Sequence, residues 1–313
     1  MGKYPTRDRQ RGPTKVRKTV AEEEQDDKLV YEGYVPEATL SGVPYGGHER
    51  HILDFWKASS EEPTPLVFVI HGGGWTGGSK ERMQRFVDAR ALLEAGISVV
   101  AINYRLMRHV GDVIPPVKAP LYDAARALQF VRSKAEEWNI DKERIAAAGG
   151  SAGACSSLWL AYHTDLADPQ GDDPVVREST RLLFAAVRGP QTTLDPAQMK
   201  EWTPNSRYGA HAFGKKDFAQ FIEDREEILP WIAEYSPYYL VDASAPPVCL
   251  FYGAPPAVGE QQKDPTHTAN FGVKLQARCQ ELGVTCEVVY PGATNVIHET
   301  PSDYLIANLT TGS

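Results

Sequence analysis

Apolar residues along the chain fall into short unbroken runs, and between the runs they recur at helical spacing. The runs at 65–70, 98–104, 144–150, 182–187, 247–253 and 285–290 are apolar nearly throughout, with β-branched residues in several, which predicts strands buried on both faces. An earlier segment, 49–56, alternates enough to predict a further strand. Residues 80–95, closed by Gly96, read as a helix. So do 120–138, where Ala124, Ala125, Leu128, Val131 and Ala135 keep helical spacing, about 267–282, and 301–309. Strands that alternate with helices predict an α/β protein with a mostly parallel central sheet and helices on both faces.

One stretch leaves this rhythm. From about 192 to 245 the chain carries Trp202, Tyr208, Phe213, Phe218, Phe221, Trp231, Tyr235, Tyr238 and Tyr239 together with Pro196, Pro204, Pro230 and Pro237. It reads as a mostly helical, aromatic-rich insertion, either packed on itself or forming a wall over the strands' C-terminal ends, where ligands bind on such sheets. The expected organisation is a tail at 1–30, basic and then acidic, followed by one domain at 31–313. Charge blocks of this kind seldom fold alone, and the tail has no apolar core of the sort that leads a secretory signal. The compartment stays open.

Composition narrows the function classes. The 313 residues are 42% hydrophobic and 24% charged with a net charge of -8, and the pI is about 5.6. Without a sustained basic field to displace phosphate counterions, a nucleic-acid partner is not expected. No apolar run approaches the roughly 18 residues of a membrane-spanning helix. Cys155, Cys249, Cys279 and Cys286 form no Cys-x-x-Cys pair and sit near no histidine at zinc-site spacing, so neither a metal nor a cofactor is implied.

Two glycine-rich motifs carry the candidate chemistry. The strand at 144–150 runs into Gly149-Gly150-Ser151-Ala152-Gly153 and then into helix-compatible residues. A serine on so sharp a strand-to-helix turn is held in a strained conformation with its hydroxyl lifted off the sheet, which makes Ser151 the candidate nucleophile. The strand at 65–70 is followed at once by His71-Gly72-Gly73-Gly74-Trp75, where backbone N–H groups stand unshielded by side chains and suit an oxyanion.

Together these motifs resemble the α/β-hydrolase superfamily over about residues 45–310, and more narrowly bacterial hormone-sensitive-lipase-like and acetyl or feruloyl esterases. The resemblance implies a serine carboxylic-ester hydrolase. It would work through an acyl-enzyme on short-chain or aryl esters of small molecules or carbohydrates, including acetyl or feruloyl groups on polysaccharide. It also implies an oxyanion hole at Gly73, Gly74 and Ala152, with Trp75, Trp202 and Tyr208 toward the substrate. The acid belongs after the strand at 247–253, where Asp264, just before Pro265, is favoured over Glu260. The base belongs in the loop after 285–290, where His298 is the candidate. The commoner family position, two or three residues after the Pro-Gly, holds Thr294 and Asn295 here, and His267, beside the acid loop, stands in reserve. A non-catalytic binding protein and a serine peptidase on the same fold are the competing readings.

Overall fold

The computed structural model describes residues 30–311, so nearly all of the basic and acidic tail expected at 1–30 lies outside the described residues. Among the described residues eight strands form one sheet: β1 (Leu40–Pro44), β2 (Ile52–Trp56), β3 (Thr64–Ile70), β4 (Ser98–Ile102), β5 (Ile140–Gly150), β6 (Ala185–Arg188), β7 (Val248–Phe251) and β8 (Cys286–Val289). Their order across the sheet is β1-β2-β4-β3-β5-β6-β7-β8. β1 and β2 pair antiparallel at one edge, and every pairing from β4 to β8 is parallel. β1 has no counterpart among the expected strands, because its residues, LSGVP, are mostly exposed and give no apolar run.

The described residues also form ten α-helices, in chain order α1 (Ala89–Glu94), α2 (Lys118–Ser133), α3 (Ala135–Trp138), α4 (Ala152–Tyr162), α5 (Pro196–Trp202), α6 (Phe218–Glu223), α7 (Arg225–Tyr235), α8 (Pro237–Leu240), α9 (Asn270–Leu282) and α10 (Pro301–Thr310). The single helix expected over 80–95 is two pieces, a 3-10 turn at Lys80–Arg85 and then α1, whose start is set by Asp88 accepting a hydrogen bond from the Ala91 N–H. No helix among the described residues is long and apolar enough to cross a membrane.

Side chains alternate across each strand, so the all-apolar strands feed two separate cores. Leu66, Phe68 and Ile70 of β3 join one, with Ile145 and Ala147 of β5 and most of α2 and α4. Val67 and Val69 join the other, with Ala146, Ala148, Cys249 and Leu305 of α10. Every residue of α4 is buried, and its apolar character runs all round, as befits a helix with no solvent face. Cys155, Cys249, Cys279 and Cys286 are buried free thiols.

Five helical segments occupy the stretch between β6 and β7: α5, a 3-10 turn at Ala210–Phe213, and α6 to α8. They are tied to one another by the buried Asp195. Its carboxylate caps α5 through the Ala197 N–H, accepts two hydrogen bonds of 2.7 Å from Arg225, and accepts another from the Tyr239 hydroxyl. The aromatic residues of this stretch largely pack on one another, as in the stacked rings of Phe213 and Phe221.

Candidate active site

The turn from β5 into α4 brings the backbone of Ser151 to φ 53° and ψ -121°, a conformation that bulky L-residues avoid. The glycines around it make that bend possible. A Cβ on Gly153 would stand 2.1 Å from the Ile70 carbonyl oxygen, and one on Gly149 would stand 2.5 Å from the same atom. The end of β3 therefore lies directly against the elbow, and with it the glycine loop that follows β3. A Cβ on Gly72 would meet Ser151 Cβ at 3.3 Å and the Gly150 carbonyl oxygen at 2.6 Å.

That loop is held in an unusual shape. Gly73, Gly74 and Trp75 all have positive φ, at 116°, 63° and 57°. The Gly73 carbonyl accepts from the Thr76 and Gly77 N–H groups, and the Gly74 carbonyl lies 2.8 Å from His211 Nε2. His211 comes from the helical stretch between β6 and β7, so that stretch fixes the Gly74–Trp75 peptide from outside. His71 lies within the fold, its ring stacked on Tyr104 with centroids 4.2 Å apart. Burial lowers its pKa to about 3, so the ring is neutral and supports the loop.

Ser151 Oγ has its hydrogen-bond partner in His267, whose Nε2 is 2.8 Å away. His267 Nδ1 is in turn 2.8 Å from Asp264 Oδ2. The expectation that His298 serves Ser151 is corrected here: His298 lies edge-on to the Tyr304 ring, with centroids 5.1 Å apart. The loop after β8 delivers no histidine to the elbow, because the position is filled from the loop after β7.

The reason is a local turn. Asp264 Oδ1 accepts from the N–H groups of both Thr266 and His267, an Asx-type turn that reverses the chain around Pro265. It folds the His267 ring back onto the other oxygen of the same carboxylate. Burial works to raise the pKa of Asp264, but the hydrogen bonds from the His267 ring and from these two N–H groups outweigh it, and the carboxyl is held below its ordinary value. An ionised Asp264 keeps the imidazole proton on Nδ1 and leaves Nε2 as the acceptor facing Ser151. Both side chains remain open to solvent, at 40% and 61% relative exposure for His267 and Asp264. They border a cleft of ≈ 620 Å³ that also touches Gly253, Ala254 and Thr268. Glu260, the other candidate acid, is exposed and makes no ion pair with His267.

Asp264 and His267 are three positions apart with a proline between, and that spacing was the sequence signal for the pair. The expected helix from about 267 hid it, since α9 begins only at Asn270 and His267 stands in the loop before it.

The aromatic residues expected toward the substrate divide. Trp75 has no exposed surface and donates its indole N–H to Ser156 Oγ at 3.0 Å. Trp202 is 3% exposed and packs edge-on to Tyr238 and Phe271. Both are corrected from substrate contact to packing, because neither presents a face to solvent. Tyr208 differs. Its buried hydroxyl has no hydrogen-bond partner, and it points at the glycine loop, 3.8 Å from where a Cβ of Gly74 would stand.

The sheet order, the strained serine turn and the serine–histidine–aspartate arrangement define an α/β-hydrolase fold. The BD-FAE family model matches residues 53–265, and the chain belongs to that family. Among curated relatives it is similar to gut esterase 1 of Caenorhabditis elegans, 29% identical over 60% of this chain and 34% of that one. It is likewise similar to the carboxylesterase NlhH of Mycobacterium tuberculosis, 29% identical over 67% of this chain and 60% of that one. The chain thus spans between a third and three fifths of the length of these relatives. A solved structure described as a truncated carbohydrate esterase from gut microbiota superposes with a TM-score of 0.64 at 20% identity, covering 84% of this chain and 90% of that one. At that identity the likeness speaks for the fold.

Proposed function

We propose that the protein is a serine carboxylic-ester hydrolase with Ser151 as nucleophile, His267 as general base and acid, and Asp264 as the residue that orients His267. The observation that carries this reading is the 2.8 Å contact between His267 Nε2 and Ser151 Oγ, continued by the 2.8 Å contact between His267 Nδ1 and Asp264. A serine hydroxyl is a weak nucleophile until a base removes its proton, and this arrangement supplies the base in the required tautomer.

In the first half-reaction Ser151 Oγ bonds to the ester carbonyl carbon while His267 Nε2 takes the hydroxyl proton. The resulting oxyanion is received by the N–H groups of Gly73, Gly74 and Ala152. The Ala152 N–H opens α4 and belongs to the donors that a helix leaves without an internal partner. Each such donor is worth about 3 kcal/mol in comparable sites. Collapse of the intermediate breaks the bond to the alcohol, which takes the proton from His267, and leaves an acyl-enzyme on Ser151. Water then repeats the sequence and releases the acid.

Short acyl groups on a carbohydrate or other small alcohol are the proposed substrates. The relatives' names, esterase and carboxylesterase, support ester hydrolysis, and the carbohydrate esterase of like fold together with the solvent-facing cleft beside His267 supports the carbohydrate range. The helices of 192–245 serve as an outer wall that braces the glycine loop through His211. The test is hydrolysis of 4-nitrophenyl acetate by the wild type and by Ser151→Ala; equal rates above background would overturn the proposal.

A further inference from the structure

Arg188 ends β6 beside the serine elbow. Its carbonyl accepts the Ser151 N–H at 2.9 Å, and a Cβ on the next residue, Gly189, would stand 3.3 Å from His267 Cβ. Across the parallel ladder Arg188 is paired with Gly150, so the two residues face the same side of the sheet. On that side a Cβ of Gly150 would strike the Phe86 ring at 2.1 Å, and Phe86 and Arg188 line one cleft of ≈ 450 Å³. The floor of that cleft therefore abuts the serine elbow, and its volume falls within the roughly 300–1,000 Å³ of small-molecule sites.

The guanidinium has no counter-ion. Arg105, Arg126, Arg144 and Arg225 each pair with an aspartate, whereas among the described residues no carboxylate lies within ion-pair distance of Arg188. The two acids that line the cleft are engaged as helix caps: Asp88 Oδ1 accepts from the Ala91 N–H, and Asp303 Oδ2 accepts from the Thr300 N–H. Partial desolvation lowers the pKa of Arg188, and no neighbouring charge counters it. A second group in the same cleft also lacks a partner, since the buried Gln84 Oε1 receives no hydrogen bond. An unmatched planar fork of N–H donors suits a carboxylate, and an unmatched amide oxygen suits a hydroxyl.

We infer that this cleft is a substrate subsite for a hydroxylated carboxylate, and that the preferred esters are acyl groups carried on a uronic-acid sugar whose carboxylate is bound by Arg188. The inference rests on the ester-hydrolase reading and names the substrate class of that same site. Arg188 is then a specificity residue that touches the substrate away from the reacting carbon.

The test compares acetate release from an O-acetylated methyl glucuronoside and from the matching O-acetylated methyl glucoside, by the wild type, Arg188→Gln and Arg188→Lys. The wild type is expected to favour the glucuronoside at least tenfold in kcat/KM, with the difference in KM and shrinking as salt is raised. The preference should fall to near unity in Arg188→Gln and survive in part in Arg188→Lys. Equal kcat/KM for the two sugars, a preference undiminished in Arg188→Gln, or turnover of 4-nitrophenyl acetate with neither sugar hydrolysed would each overturn the inference. If 4-nitrophenyl acetate is not hydrolysed either, the ester-hydrolase reading fails, and the subsite is judged by calorimetric titration of free glucuronate into the full chain. Binding that is lost in Arg188→Gln supports the subsite in that case, and absence of binding to the wild type overturns it.

Discussion

His267 Nε2 lies 2.8 Å from Ser151 Oγ across 116 positions of chain. The same ring is held by Asp264 only three positions away, so one short loop carries both the base and the residue that orients it. Two of the three groups therefore depend on a single turn around Pro265. Replacing His267 by Ala should lower kcat for 4-nitrophenyl acetate by about 10²–10⁴-fold, the range expected for loss of a positioned general base. His298→Ala should stay within about threefold of wild type, as for a substitution away from the chemistry. The reverse ranking of the two variants in steady-state kinetics would return the base to the loop after β8.

The His211 side chain acts on the glycine loop through the Gly74 carbonyl. His211→Ala should lower kcat about tenfold with little change in KM, a smaller loss than the ~3 kcal/mol of removing an oxyanion donor outright. His211→Gln, which keeps an N–H donor, should recover part of it. A change confined to KM, or no recovery in the glutamine variant, would argue against a role in shaping the loop.

Gly153 has no room for a side chain, because a Cβ would lie 2.1 Å from the Ile70 carbonyl and 2.5 Å from that of His71. Both neighbours are backbone atoms at the root of the glycine loop and cannot swing aside. Gly153→Ala should destabilise the protein by about 1–3 kcal/mol and also depress activity at temperatures where the variant is still folded. Thermal unfolding and kinetics on the same preparation separate the two effects.

Asp195 gives a pH-dependent contribution to stability. Burial acts to raise its pKa, yet the hydrogen bonds from Arg225, Tyr239 and the Ala197 N–H prevail and hold the folded-state value below the ordinary one. The contribution is thus complete above the unfolded-state pKa of about 3.9 and is lost as pH falls through the lower folded-state value. Asp195→Asn should cost about 3 kcal/mol at neutral pH, as for a broken buried pair. It should also flatten the acid side of the stability profile measured by urea unfolding. An equally steep acid limb in the variant would assign that slope to other carboxylates.

The chain itself settled the alternation of strands and helices, the parallel character of the sheet and the position of Ser151. Each of these is a local matter: runs such as 65–70 are apolar over a strand's length, and a serine between glycines after a strand can adopt a backbone shape that most contexts forbid. The sequence also marked the carboxylate at Asp264. It left open which histidine reaches Ser151, because reach depends on where loops end in space. Only the tertiary structure brings the turn after β7 over the elbow, places His298 against Tyr304 and turns Trp75 and Trp202 inward. An Asx turn of four residues decided the site's geometry, and its effect on Ser151 passes through space between β5 and β7, where no pattern along the chain records it.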